Sequence, residues 1–198
     1  MVDDFSTDSE NPFAAPAAPA SAITQDSEPQ EDSSVKKDLR AFVGNKWAYY
    51  YKQWESVLEG RDQKTGFNFV AFLFSGIWLP YRKMYFITFL FYGFIILETI
   101  LQEVILLKIL NRPDISEILD RVIGLGTSIV IGMYANTWYL SHSQKIIDEV
   151  RSEHDDDETV RRLLQQRGGT SLLSGFGMFF LFIIAMIAAL VVISPEDF

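Results

Sequence analysis

The chain has 198 residues, enough for one domain and a tail, and a net charge of −9 that is very unevenly spread. Residues 1–35 hold eight acids (Asp3, Asp4, Asp8, Glu10, Asp26, Glu28, Glu31, Asp32) and no Lys or Arg; the other 163 residues carry 18 acids against all 17 bases. The acidity therefore belongs to the tail, no nucleic-acid partner is expected, and the absence of cysteine excludes disulfides, thiolate nucleophiles and thiolate metal sites.

Residues 1–35 combine Ala, Pro, Ser and acid, with four of the seven prolines (Pro12, Pro16, Pro19, Pro29). Too little apolar surface is present to offset ordering entropy, so a disordered acidic tail is expected. A solvated charge run is favoured over a docking segment for a basic partner. The start, Met-Val-Asp-Asp, lacks a basic stretch leading into an apolar run, so no cleavable secretory signal is expected and internal segments direct insertion.

In the next region, 36–66, Val43, Trp47, Tyr50, Tyr51, Trp54, Val57 and Leu58 recur at helical spacing and predict an amphipathic helix over 41–58, ended by Gly60. Trp and Tyr favour the headgroup layer, and the bases at 36, 37, 40, 46 and 52 suit anionic lipid headgroups, so an interfacial helix is the preferred reading. The same periodicity permits a helix packed on a small cytoplasmic subdomain. Residues 67–81 are apolar but reach only about 22 Å as a helix, short of a bilayer core of about 30 Å. Pro80 disfavours helix continuation through Leu79, and Arg82 and Lys83 follow at once. An interfacial or re-entrant segment is expected, with Trp78, Tyr81, Arg82 and Lys83 at the membrane interface.

Three runs are long and apolar enough to span: 84–107, 122–140 and 172–194. Nine bases precede the first, three lie in 108–121, five in 141–171, and none follows the third. This alternation places the N-terminus and the 141–171 loop in the cytoplasm and the C-terminus outside. The fold class expected is all-α integral membrane, three transmembrane helices with an N-terminal amphipathic helix and a short re-entrant or interfacial segment. Within 141–171 the second span continues as an amphipathic helix through Ile146, Ile147 and Val150. A short helix follows around Val160, Leu163 and Leu164, which Gly168-Gly169 stops, and Thr170 or Ser171 caps the third span.

Glu98 is flagged by its place inside the first span, since ionisable groups there cost several kcal/mol and face a partner or water. Gln102 lies one turn on, on the same face. A proton-relay or ion-site role is weighed against placement near the outer headgroups, which is favoured. Asn136 lies near the inner leaflet, at a different depth from Glu98. Small residues recur at stride four on the second span (Gly124, Ser128, Gly132), and Gly177, Ala185 and Ala189 share a face of the third. Such strips allow close helix approach in lipid, and packing of the second span on the third, or a homo-oligomer contact, is expected.

Catalytic motifs are missing: there is no Gly-x-Ser-x-Gly, no His-Glu-x-x-His and no phosphate-binding loop. His142 and His154 are twelve apart; the Asp155-Asp156-Asp157 run beside the latter suits a helix N-terminus rather than a metal. No catalytic residue, cofactor or metal is expected.

Four stretches carry a resemblance. They are Phe42-Val43-Gly44 running to Tyr50-Tyr51; Asn68-Phe69-Val70-Ala71-Phe72-Leu73-Phe74 through Trp78-Leu79 to Tyr81-Arg82-Lys83-Met84-Tyr85; Ala135-Asn136 with Tyr139; and Gly168-Gly169-Thr170-Ser171. Together they resemble an uncharacterised bacterial inner-membrane family, domain of unknown function 2628, over about 40–195. The Arg-Lys-Met-Tyr stretch is the most specific piece. Where the family pattern often has Gly-Pro near 76–77, this chain has Gly76-Ile77 and its Pro at 80. The resemblance implies a membrane architecture and no activity. The expected role is a non-enzymatic scaffold, regulator or assembly partner in the bacterial inner membrane, acting with a membrane protein or a second copy. The alternative is an oligomeric small transporter or channel subunit using Glu98.

Overall fold

A computed structural model describes residues 30–62 and 64–193, all of whose regular elements are helical. They are α1 (Gln30–Val43), α2 (Trp47–Leu58), α3 (Phe69–Leu73), α4 (Ser75–Tyr81), α5 (Tyr85–Gln102), α6 (Pro113–Glu153), α7 (Asp157–Arg167) and α8 (Leu172–Ile193). A π-helical stretch, Glu103–Ile109, prolongs α5. Three of these helices are long and apolar enough to cross a membrane. Of the expected tail, 1–29 lies outside the described residues, while 30–35 is already part of α1.

The single helix expected over 41–58 is two. Gly44, at φ +69°, takes a left-handed conformation that ends α1, and a short 3₁₀ turn, Gly44–Lys46, redirects the chain into α2. Both helices pack on the half of α6 that runs from Asn136 onward, and α7 closes over α1. These four form a head whose core is Leu39, Phe42, Tyr50, Trp54, Tyr139, Val150, Val160 and Leu164. The aromatic face read as lipid-facing is turned into protein: Tyr50 and Trp54 are buried, and Trp47 and Tyr51 are half-buried against each other, ring centroids 5.3 Å apart. The packed alternative that the periodicity permitted is the one adopted. A helix face of that width can be satisfied by either solvent, and α6 supplies the nearer one.

From the head, α6 runs 41 residues without a break, about 61 Å. The stretch 108–121, expected as a loop, is mostly helix: Asn111 at φ 49° ends the π-helical turn, and Pro113 opens α6, leaving only 110–112 non-helical. α5 and α6 meet at this remote end and diverge toward the head. The wedge between them is the α3–α4 hairpin, α3 lying on α6 and α4 on α5 and α8.

Within α4, Pro80 does not stop the helix before Leu79; the helix continues to Tyr81. The amide that proline lacks would have bonded the Gly76 carbonyl, and the Tyr92 hydroxyl of α5 donates to that oxygen instead. A missing intrahelical bond thereby becomes a bond between helices.

The packing expected between the second and third spans is not found. α8 packs on α4 and α5, and α6 on α3. Of the small residues, Gly132 is used tightly, under the Phe67 ring and the Phe72 Cβ of the hairpin. A methyl group at Gly124 or Gly177 would meet nothing within 4 Å; Ala185 is exposed and Ala189 half-buried. Gly124 and Ser128 instead line a cavity of about 360 Å³ whose other walls are Phe179 and Phe182 of α8 and the hairpin apex. The hairpin holds the long helices apart, so the small residues of α6 meet the hairpin, as Gly132 does, or open space, as Gly124 does.

Candidate functional site

The densest set of buried polar groups lies at the neck, where the head joins the long helices. Its centre is Arg82, the residue that caps α4, which is only 6 % exposed. Its guanidinium carbon sits 4.6 Å from the Tyr50 ring centre, 5.0 Å from that of Tyr139 and 5.6 Å from that of Tyr81. Three electron-rich faces thus surround a cation that forms no ion pair with a carboxylate among the described residues. Each such contact is worth ~0.5–2 kcal/mol, rising with desolvation. The Arg82 Nε and Nη1 and the Tyr139 hydroxyl find no hydrogen-bond partner among the described residues. Burial pushes the Tyr50 hydroxyl up to about 12, with the Arg82 charge acting in the opposite sense. The Tyr50 hydroxyl therefore stays neutral at physiological pH.

Each residue of the 82–85 stretch joins different elements. Lys83, at φ 60°, donates from Nζ to the Gln166 carbonyl (3.0 Å) and the Gly168 carbonyl (2.6 Å), completing the C-terminus of α7. Met84 is buried in the core, and the Tyr85 hydroxyl lies 3.0 Å from Ser174 Oγ of α8. Lys83 and Arg82 were both expected at lipid headgroups. Lys83 is spent on helix-end carbonyls and Arg82 on rings.

Below the cage, Asn68 and Asn136 pin the hairpin to α6. Asn68 Nδ2 donates to Asn136 Oδ1 (2.8 Å), and Asn136 Nδ2 donates to the Gly66 carbonyl (2.7 Å). Asn68 Oδ1 caps α3 by accepting from the Ala71 amide (2.9 Å). The Trp54 indole donates to the Asn136 carbonyl (2.9 Å) and the Asn68 amide to the Gly132 carbonyl (2.8 Å). Both amides are buried and every bond is intramolecular. Asn136 is thus a structural pin. Trp78 packs edge-on to Tyr139, buried in the same cluster, and Tyr81, half-buried, accepts the Ser171 amide on its carbonyl.

A second polar group lies at the remote end. Gln102, on α5, bridges two carboxylates: its Nε2 donates to Glu98 and to Asp120 Oδ1 (2.8 Å) of α6, while Ser116 donates to Gln102 Oε1 (3.1 Å). Glu98 and Gln102 are therefore brought together as their spacing predicts, and Asn136 is well separated from them. Ser116 and Asp120 were assigned to a loop, which hid them. Their stride of four on α6 is the signal that could have found them. Asn68 carried a signal too, as a capping residue directly ahead of an apolar run.

On the head, Arg151 holds Asp38 through two nitrogens (2.8 and 2.9 Å) and Asp157 through the third (2.6 Å). Asp156 caps α7 by accepting the Thr159 amide (2.8 Å), which holds its carboxyl below the usual range, and Ser171 Oγ accepts the Ser174 amide in the first turn of α8. His142 lies edge-on to Phe42, ring centroids 6.0 Å apart, and burial together with nearby Lys145 lowers its pKa. Among the described residues no group of three His, Cys, Asp or Glu side chains is placed to hold a metal ion.

Comparison with known proteins gives one finding. No curated protein and no solved structure matches the chain. Residues 26–145, which include both helices of the head's first layer, the hairpin, the cage and the pin, match a family described as protein of unknown function, DUF2628. With the larger part of its length covered by that match, the chain belongs to the DUF2628 family.

Proposed function

We propose that the protein is a non-enzymatic membrane scaffold. Its head stands in the cytoplasm, α5, α6 and α8 cross the bilayer, and the α3–α4 hairpin enters from the head side and returns. The observation that carries this reading is the unbroken α6, which belongs to the head core at Val150 and to the long apolar half at Val122. Whatever seats on the head is thereby held at a fixed position relative to the spans. Charge supports the orientation, since the base-rich segments 36–83 and 141–171 share one end of the molecule.

Geometry supports the hairpin's entry. Asn68 bonds α6 at Asn136 and Gly132, while residues 73–76 share a cavity with Gly124 and Ser128, so the apex lies two to three turns, about 12–18 Å, further from the head. Phe69, Val70, Leu73 and Phe74 are all more than half exposed, as suits hydrocarbon.

The chain has no cysteine, so single cysteines report topology directly. A membrane-impermeant maleimide on intact inner-membrane vesicles of known orientation should label Arg61→Cys from the cytoplasmic face only, Asn111→Cys from the opposite face only, and Phe74→Cys from neither. Labelling of Phe74→Cys from both faces would remove the re-entrant placement. For the role itself, a photocrosslinking residue at exposed Arg162 should capture one reproducible protein partner in membranes, and capture should fail when the neighbouring, equally exposed Arg161 is reversed in charge. Capture of nothing above background removes the scaffold reading.

The Glu98–Gln102–Asp120 group favours a second reading, an oligomeric small transporter or channel subunit. Proton- or cation-dependent flux into liposomes that collapses in Glu98→Gln would establish it. Wild-type protein without flux removes it.

A further inference from the structure

The head bears a cavity of about 990 Å³ between α1, α7 and the start of α2. Four cations line it, Lys37, Arg40, Arg151 and Arg161, against two carboxylates, Asp38 and Asp157. Both carboxylates are already engaged by Arg151. Lys37, Arg40 and Arg161 make no ion pair or hydrogen bond among the described residues, so the wall presents three unneutralised charges beside the Trp47 ring. The segment directly ahead of α1 has the opposite character: residues 1–29 contain six acids and no base.

We propose that this cavity is a binding site for an acidic peptide strand and that residues 23–28 of the chain's own tail occupy it. The proposal goes beyond the scaffold reading and does not depend on it. Length permits the fold-back. The α1 face of the cavity extends from Ser34 to Trp47, about 20 Å along the axis, and an extended strand covers that with about six residues. Side-chain alternation in such a strand puts Asp26 and Glu28 on one face, toward the cations, and Ile23 on the other. Tethering raises the local concentration of the acids without any new contact, so modest pairing suffices to hold them. An acidic segment of another protein would then have to displace the tail to reach Lys37 and Arg40.

The full chain in lipid nanodiscs, spin-labelled at Ala22→Cys and Gln166→Cys, tests this by pulsed dipolar distance measurement. A narrow short-distance population is expected at low salt. It should be lost near 1 M salt, where screening shortens to about 3 Å. It should equally be lost in Asp26→Asn/Glu28→Gln and in Lys37→Gln/Arg40→Gln, with helicity by circular dichroism unchanged because neither cation is tied to another side chain of the head among the described residues. A broad distribution indifferent to salt and to both variants overturns the proposal. So does a narrow population that survives the charge variants, since pairing would not be its cause. A short distance appearing only between singly labelled chains mixed together assigns the cavity to the tail of a second copy and overturns occupancy by the chain's own. Release of the label by millimolar inorganic phosphate, with no effect of Asp26→Asn/Glu28→Gln, would make the cavity a phosphate site and likewise overturn it.

Discussion

In the head, Tyr50, Trp54, Tyr139 and Leu164 are each at most 1 % exposed; in the long helices, Phe86, Leu173 and Val192 are each more than three-quarters exposed. Both regions are rich in large apolar side chains, yet one hides them in protein and the other turns them outward. Soluble proteins rarely leave contiguous apolar surface of that extent, so the outward faces of α5, α6 and α8 are built for a non-aqueous surrounding. The difference extends to polar groups. Those at the neck are fixed by several bonds each, whereas much of the small-residue strip on α6 touches nothing. Rigidity is concentrated where the head meets the spans, and the apolar half is held mainly by the hairpin.

The Asn68–Asn136 pin tests that contrast most severely. Replacing Asn136 with Leu strands Asn68 Nδ2 in a buried place and takes a bond from the carbonyl of exposed Gly66, and an unsatisfied buried group costs ~1–3 kcal/mol. A loss of about 2–3 kcal/mol in reversible unfolding, in detergent or lipid, is expected. The double variant Asn68→Ala/Asn136→Leu should lose less than the sum of the single ones, showing that the two act as a unit. Additive losses would mean the pin is not a pair.

Gly132 and Gly124 lie eight residues apart on one face of α6 and sharpen the comparison. Gly132→Leu drives a side chain into Phe67 and Phe72 and should cost about 2–3 kcal/mol, in line with overpacking elsewhere. Gly124→Leu points into open space and should cost nothing, gaining a few tenths of a kcal/mol from helix propensity. Equal effects would show that α6 is packed uniformly along its length. Thermal midpoints of the two variants decide it.

Arg82 is expected to invert the usual ranking of conservative changes. An ammonium cannot spread over three rings, and it is more strongly hydrated than a guanidinium, so Arg82→Lys should cost about 2 kcal/mol. Arg82→Met keeps the length and gives up the three ring contacts, but also the cost of burying an unpaired charge, so it should lose less than Arg82→Lys. Lysine as stable as arginine at this position would refute the ring cage as the reason for a guanidinium there.

Hydropathy made readable the three helices long and apolar enough to span a membrane, because length and the absence of charge are local properties. So were the end of α7 at Gly168-Gly169 and the pairing of Glu98 with Gln102, which sit one turn apart. What escaped depends on contacts between distant segments. The Tyr50–Trp54 face is equally apolar whether lipid or α6 covers it, and only the fold chooses. Pro80 reads as a stop because its compensating donor, Tyr92, belongs to another helix. Arg82 and Lys83 carry the composition of a headgroup anchor, and nothing local reveals three aromatic faces brought from α2, α4 and α6, or the open carbonyls of α7. The small-residue strip misled for the converse reason: it permits a close helix, and the hairpin occupies the place.

The smallest effect expected concerns the head's response to acid. His142 has its pKa lowered by burial against Phe42 and by Lys145, so the folded chain takes up that proton less readily than the unfolded one. As pH falls through the unfolded value of about 6.5, the unfolded state gains the proton first, and stability contributed by the neutral ring is progressively lost; above that value it is fully present. His142→Phe keeps an aromatic ring against Phe42 and removes the titration. Subtracting its stability profile from that of the wild type between pH 8 and 5 isolates one group, because every other titratable side chain is common to both chains. The difference should be flat above neutrality and should turn against the wild type below it. The loss should stay confined to the head: a cysteine at the hairpin apex, Phe74→Cys, should keep its protection over the same range. A difference profile of opposite sign would mean that the folded head welcomes the proton, and loss of apex protection in step with it would mean that head and apolar half do not differ in the way their burial implies.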